Sequence, residues 1–261
     1  SAEEAVGLVQ SGDRVYYGGN AAIPKALVSA LAGRADELEN VQLNHVLLLG
    51  EDPLSQPGME GHFRHNSLFV GPADRAAVND GRADYMPIFL HQIPRIFSSG
   101  IVPLDVTMVM VSPPDEHGFM SLGVETMAAR AACNRAKTVV VQVNEKMPRV
   151  LGDSFLHVNR VDAIVEHTED LPRLSPGPIS EVARQIGQHI RGLIEDGATL
   201  QIGFGHLPYA ILKYLDNKKD LGIHTQLITD GFLPLFEQKV ITNKRKTLLP
   251  DYALHVLEDE T

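Results

Sequence analysis

The sequence predicts an α/β fold of two similar open domains with mostly parallel sheets, and three observations carry that expectation. Short apolar runs alternate with helical patterns along all 261 residues. The longer runs are apolar at successive positions, as in strands covered by helices on both faces. A pattern of glycine turn, strand, glycine loop, proline and Ala/Leu helix occurs twice. Strands alternating with helices favour parallel pairing.

Strands are expected at 41–49, 67–70, 105–111, 138–143 and 161–165. A helix is expected over 125–137, where Met127, Ala128, Ala131 and Ala132 share a face opposite Arg130, Asn134 and Arg135. The first copy of the repeat runs Gly12-Asp-Arg-Val-Tyr-Tyr-Gly18-Gly-Asn-Ala-Ala-Ile-Pro24, and the second Gly197-Ala-Thr-Leu-Gln-Ile-Gly203-Phe-Gly-His-Leu-Pro208. One extra residue in the first loop brings the prolines into step. Upstream, Ala5, Leu8 and Val9 correspond to Ile190, Leu193 and Ile194. A Leu-Ser-Pro-Gly-Pro cluster before Ile179 reads as a linker, giving domains 1–175 and 176–261. The second is then short and reads as incomplete, and 251–261 shows no glycine-bounded strand.

Composition narrows the function. With 44% hydrophobic and 21% charged residues the chain is neither disordered nor collagen-like. Its 23 basic and 33 acidic side chains give a formal charge of −10, which argues against a nucleic-acid partner. No apolar run exceeds strand length, so no membrane partner is expected. Cys133, the single cysteine, suits a reducing compartment. With no apolar leader ahead of Ser1, a soluble, cytoplasmic protein is the expectation.

Two segments carry candidate chemistry. Glycines in the loop 201–205 let a ligand approach bare backbone, and such a loop holds a phosphate, a carboxylate or an oxyanion, or is a plain turn. The segment 222–231 forms the next strand, so His224, Gln226 and Asp230 fall at a strand end beside that loop or face water. His62 and His65 lack a third ligand at metal-site spacing and read as a solvated loop. The turn-rich 113–118 stretch reads as a rim loop. Cys133 reads as core and not as a nucleophile. The 152–154 stretch lacks the glycines of a nucleophile elbow, and there is no Walker lysine motif.

Several segments together resemble the acetyl-CoA hydrolase/transferase family, among the class I CoA-transferases. They are Gly-Arg-Ala-Asp-Tyr-Met-Pro-Ile at 81–88, Val-Ser-Pro-Pro-Asp-Glu-His-Gly at 111–118 and Ser-Leu-Gly-Val-Glu at 121–125. Met-Pro-Arg at 147–149, Gly-Asp-Ser-Phe-Leu-His-Val at 152–158 and Gly-Ile-His-Thr at 222–225 complete the set. The resemblance implies two similar open α/β domains, a homo-oligomer, and CoA transfer between a short-chain acyl-CoA and a carboxylate such as acetate. Coenzyme A is then a substrate, with no metal and no organic cofactor. It implies a CoA loop of Gln201, Ile202, Gly203, Phe204 and Gly205, and a glutamate nucleophile where this sequence has Gln226. Met147–Arg149 and Gly152–Ser154 either line the acyl pocket or support the domain interface, and Asn20 is a weaker candidate for the acyl side of the cleft. A carboxamide cannot act as that nucleophile. An acyl-CoA hydrolase, or a catalytically silent CoA-binding or structural chain, are the alternatives.

Overall fold

A computed structural model describes residues 1–173, 177–203, 205–253 and 257–259. They fall into two compact units, Ser1–Pro172 and Arg173–Thr261. The expected boundary between 175 and 176 lies outside the described residues.

In chain order, unit 1 holds α1 (Ala2–Val6), β1 (Arg14–Tyr17), α2 (Lys25–Ala32), β2 (Val41–His45) and β3 (Phe63–Ser67). There follow α3 (Arg75–Asn79), β4 (Asp84–Tyr85), α4 (Ile93–Ser98), β5 (Val106–Val111) and β6 (Phe119–Ser121). The unit ends with α5 (Ala129–Arg135), β7 (Thr138–Val143), β8 (Phe155–His157) and β9 (Ala163–Glu166). Seven strands form one parallel sheet in the order β4-β3-β2-β1-β5-β7-β9. The chain runs outward from β1 on one side and from β5 on the other, so their junction is the switch point where a crevice forms beyond the strand ends. β6 and β8 pair antiparallel as a separate ribbon.

The two faces of the sheet bury different sets. Val15, Tyr17, Leu43, Met108 and Val140 pack with Leu27 and Leu31 of α2 and with Val6 of α1. Tyr16, the neighbour of Tyr17, points to the other face and meets Phe97 of α4 edge-on at 5.4 Å. Cys133 of α5 is buried, as expected, and burial pushes its thiol up to about 12.

Unit 2 contains α6 (Glu181–Leu193), β10 (Thr199–Leu200), α7 (His206–Leu212), β11 (Gly222–Ile223), β12 (Leu227–Thr229), α8 (Leu233–Glu237) and β13 (Leu257–Asp259). β10 pairs with β11 and β12 with β13, both in parallel. Ile202, Leu212, Leu221, Ile223, Phe232 and Leu235 form its core. The two copies of the repeat fold alike. Gly12 and Gly197 both take φ +82°, a left-handed turn open to glycine. Their amides donate to Glu39 O at 2.9 Å and to Lys219 O at 2.8 Å. Each then leads into a strand, a loop, a helix and a parallel strand.

Four expectations are corrected. The strand expected at 67–70 lies at Phe63–Ser67, because Arg64, His65 and Asn66 find polar partners there: Arg64 pairs with Asp84 at 2.6 Å and Asn66 donates to Asn44 Oδ1 at 2.8 Å. His65 is consequently a buried strand residue and no solvated loop, while His62 Nδ1 meets Leu38 O at 2.9 Å. The helix expected from 125 begins at Ala129, because the Glu125 carboxylate accepts from Ala128 N at 3.1 Å and occupies the turn before it. A strand does occur in the tail, where Leu257–Asp259 pairs with β12; three residues are too few to show a period.

Candidate functional site

The candidate loop of unit 2 is built by one threonine. His224 N donates to Leu200 O at 3.0 Å, the last backbone rung between the two strands. Beyond it the Thr225 hydroxyl takes over: Oγ1 accepts from Ile202 N at 3.0 Å and donates to Ile202 O at 2.8 Å. Thr225 and Ile202 are buried, so both backbone groups of Ile202 are satisfied without water. Gln201, Gly203 and Gly205 on one segment, and His224 and Gln226 on the other, stay exposed. Thus Gln201, Ile202 and Gly203 come together with the strand end that carries Gln226. Phe204 lies outside the described residues.

Gly205 precedes α7 with φ 114° and ψ −177°, a conformation essentially confined to glycine, and nothing lies within 4 Å of where a Cβ would stand. Pro208 falls in the first turn of α7 and not at its opening residue, a position at which its missing N–H costs no helical bond. Asp230 opens the short helical turn that leads into α8. Below the site, Asn243 Oδ1 accepts from Ile223 N at 2.8 Å, and the buried Lys246 amine donates to Ile223 O at 2.8 Å.

The sequence signal for Thr225 is a hydroxyl on a β-branched residue at a strand end beside a glycine loop. Thr225→Val keeps the shape and removes both bonds. It is expected to cost about 2 kcal/mol locally, read as roughly 30-fold faster amide exchange at Ile202. Unchanged exchange there would remove Thr225 as the clamp.

In unit 1 the switch point lies between the ends of β1 and β5. Gly18 N donates to Met108 O at 2.9 Å, and a Cβ on Gly19 would meet Leu47 O at 2.7 Å. Asn20, at φ 53°, is buried, and its amide donates to Val124 O at 3.2 Å. Tyr16 donates to Glu125 Oε2 at 3.2 Å on one face of the sheet, and Tyr17 to Asp52 Oδ2 at 3.0 Å on the other. Burial raises the Glu125 carboxyl to about 7, against bonds from Ala128, Tyr16, Ala129 and Met127 that lower it. Neither tyrosine–acid pair was foreseen, because each joins residues far apart in sequence.

The family motifs of unit 1 brace one another. Asp115 Oδ1 accepts from His117 N and Phe119 N at 3.0 and 2.8 Å, while Oδ2 pairs with Arg149 at 2.5 Å. Arg149 also donates to Phe119 O at 3.0 Å and lies over the Phe155 ring at 4.7 Å. Asp153 pairs with Arg130, and Ser154 donates to Val150 O at 3.0 Å. Arg149 therefore braces the β6–β8 ribbon. A cleft of about 540 Å³ opens beside α2, lined by Ile23, Lys25, Glu51, Pro53 and Gln56 among others.

Residues 1–174 match the model of the acetyl-CoA hydrolase/transferase N-terminal domain. The chain belongs to the acetyl-CoA hydrolase/transferase family. It is 44% identical over 250 residues to the 4-hydroxybutyrate coenzyme A transferase of Clostridium kluyveri, covering 96% of this chain and 58% of that one. It is 34% identical to the butyryl-CoA:acetate CoA-transferase of Anaerostipes caccae, covering 95% and 57%. The structure of RipA from Yersinia pestis superposes with a TM-score of 0.94 at 32% identity, covering 100% of this chain and 63% of that one. The chain thus spans a little over half the length of the curated relatives it matches. Among the described residues, no helix is long and apolar enough to cross a membrane.

Proposed function

We propose that this chain carries the acyl-CoA site of a CoA-transferase, moving CoA between a short-chain acyl-CoA and a carboxylate such as acetate. The loop 201–205 binds CoA, and position 226 is where a glutamate forms a glutamyl-CoA thioester. Coenzyme A is a substrate here, and no metal or organic cofactor takes part. What supports the reading is the Thr225–Ile202 clamp, which brings Gln226 beside the glycine loop. The names of the family members above support the substrate class. Because Gln226 stands at the nucleophile's position, the chain binds acyl-CoA without forming the thioester.

Calorimetric titration with CoA tests the loop. Gly205→Val is strained at φ 114° and crowds the bare backbone, so affinity is expected to fall at least about tenfold with the fold intact by circular dichroism. Equal binding by both proteins, or none by a folded parent, would overturn the reading.

A further inference from the structure

A dense group of buried titratable side chains lies on the α2 face of the sheet in unit 1. Tyr17 ends β1, His45 ends β2, and His65 and Ser67 stand two apart on β3. Asp52 and Asp74 come from the loops after β2 and β3, and all six are at most 2% exposed.

The hydrogen bonds fix where most protons lie. Val46 O only accepts, so His45 carries its proton on Nδ1, 3.1 Å away. Burial, reinforced by the neighbouring His65, holds His45 well below the usual imidazole range, so the ring is neutral and its Nε2 is an acceptor. His65 Nδ1, at 3.0 Å, must therefore donate to it. That turns His65 Nε2 toward Asp52 Oδ2 at 3.7 Å, the same oxygen that accepts from Tyr17. A bare ring nitrogen and an ionised carboxylate would there be two acceptors face to face in a buried site, which is costly. Among the described residues, His65 Nε2, Ser67 Oγ and Asp74 Oδ2 have no hydrogen-bond partner.

We propose that Asp52 and His65 share one buried proton, which latches the 52–56 loop onto the ends of β1 and β3 and makes unit 1 pH-sensitive at that point. The proton sits on Asp52 Oδ2 facing His65 Nε2, or on Nε2 facing Oδ2, across 3.7 Å; either way the pair is neutral overall. The loop hangs on Asp52. Its Oδ1 accepts from Leu54 N at 3.2 Å, and its carbonyl accepts from Ser55 Oγ at 3.0 Å and Gln56 Nε2 at 3.2 Å.

The groups facing the pair are Tyr17 from β1, His45 from β2 and Asp74 from the loop before α3, whose Oδ2 is 3.9 Å from His45 Nε2. A cavity of about 10 Å³, the size of one water, reaches His65 past Ser55, Gln56, Glu60 and Arg82, and gives the proton a route to solvent. Glu60 and Arg82 pair at 3.7 Å along it. Burial raises the Asp52 carboxyl above its ordinary range even though His65, Tyr17 and Leu54 N draw it down. Two histidines and two carboxylates suggest a metal, but His45 Nε2 is turned onto His65, and among the described residues no three such groups could hold one.

Nuclear magnetic resonance on the unmodified chain at pH 7, after dialysis against a chelator, tests the sharing directly. The expected result is either an Asp52 carboxyl carbon in the carboxylic-acid range or a His65 ring protonated on both nitrogens. An ionised Asp52 beside a singly protonated His65 overturns the proposal, as does a spectrum of this cluster that chelation changes. Urea unfolding of the chain and of Asp52→Asn across pH 5 to 9 gives the second reading. A raised carboxyl stabilises fully below its unfolded value of 3.8, and that contribution is lost as pH rises through the folded value. The parent's unfolding constant is therefore expected to climb relative to the variant's, by up to about tenfold per pH unit over the range in which the folded chain keeps a proton the unfolded chain has lost. Parallel curves overturn the latch.

Discussion

In the Gln226→Glu variant, acetyl-CoA is expected to leave a CoA thioester on residue 226, where the unsubstituted chain leaves none. Glutamine is nearly isosteric with glutamate, and the exposed side chain of Gln226 is not packed into the core, so the exchange leaves the Thr225 clamp untouched. What changes is the nucleophile. The amide oxygen of Gln226 carries no full charge, and its nitrogen lone pair is delocalised. A carboxylate oxygen instead attacks the thioester carbonyl and expels CoA thiolate, leaving a mixed anhydride. The thiolate then attacks the side-chain carbonyl and releases acetate, so the residue gains CoA and loses one oxygen as part of the departing acid. Mass spectrometry of the peptide holding residue 226 reads this as an added CoA less one water. Butyrate is expected to discharge the adduct as butyryl-CoA; discharge by water alone at the same rate would favour a hydrolase. No adduct on folded protein would mean that these 261 residues do not carry out the transfer on their own.

The legible parts of this chain were those where one side chain does one job. Val106–Val111 and Thr138–Val143 are buried almost throughout, and an apolar run reports that directly. The repeat was legible because Gly12 and Gly197 occupy the same left-handed turn, which few other residues tolerate. β3 was illegible for the opposite reason. Arg64, His65 and Asn66 look like a surface loop until Asp84, His45 and Asn44 are brought alongside, and nothing local in the sequence announces those partners. Glu125 misled in the same way: it opens the helix expected over 125–137, yet it lies ahead of α5, buried and bonded to Tyr16, 109 positions earlier. The glycine loop and Gln226 stand out in the motif, whereas Thr225, which joins them, needs the register of β10 against β11.

Both faces of β1 end in a tyrosine donating to a buried acid, and the Glu125 pair gives the larger stability forecast. Glu125→Gln is expected to stabilise unit 1 by about 3 kcal/mol at pH 8 and to leave it nearly unchanged at pH 4. Burial pushes the folded carboxyl up to about 7 from its ordinary 4.5. Burial therefore favours the neutral acid, and each pH unit of displacement is worth about 1.4 kcal/mol. Below pH 4.5 both folded and unfolded chains hold the proton, and ionisation costs nothing. As pH rises through 7 the folded chain must either keep a proton the unfolded chain has released or bury a charge, and stability falls. Glutamine removes that choice. Its oxygen still accepts from Ala128 N, and the Tyr16 hydroxyl turns to accept from the new amide. For a unit of this size the gain corresponds to a rise of about 6–12 °C in its melting temperature at pH 8. Scanning calorimetry of both proteins at pH 4 and pH 8 decides the matter. A rise of the same size at both values would mean that Gln packs better than Glu for reasons unconnected with charge, and the buried carboxyl would lose its place as the source of alkaline instability.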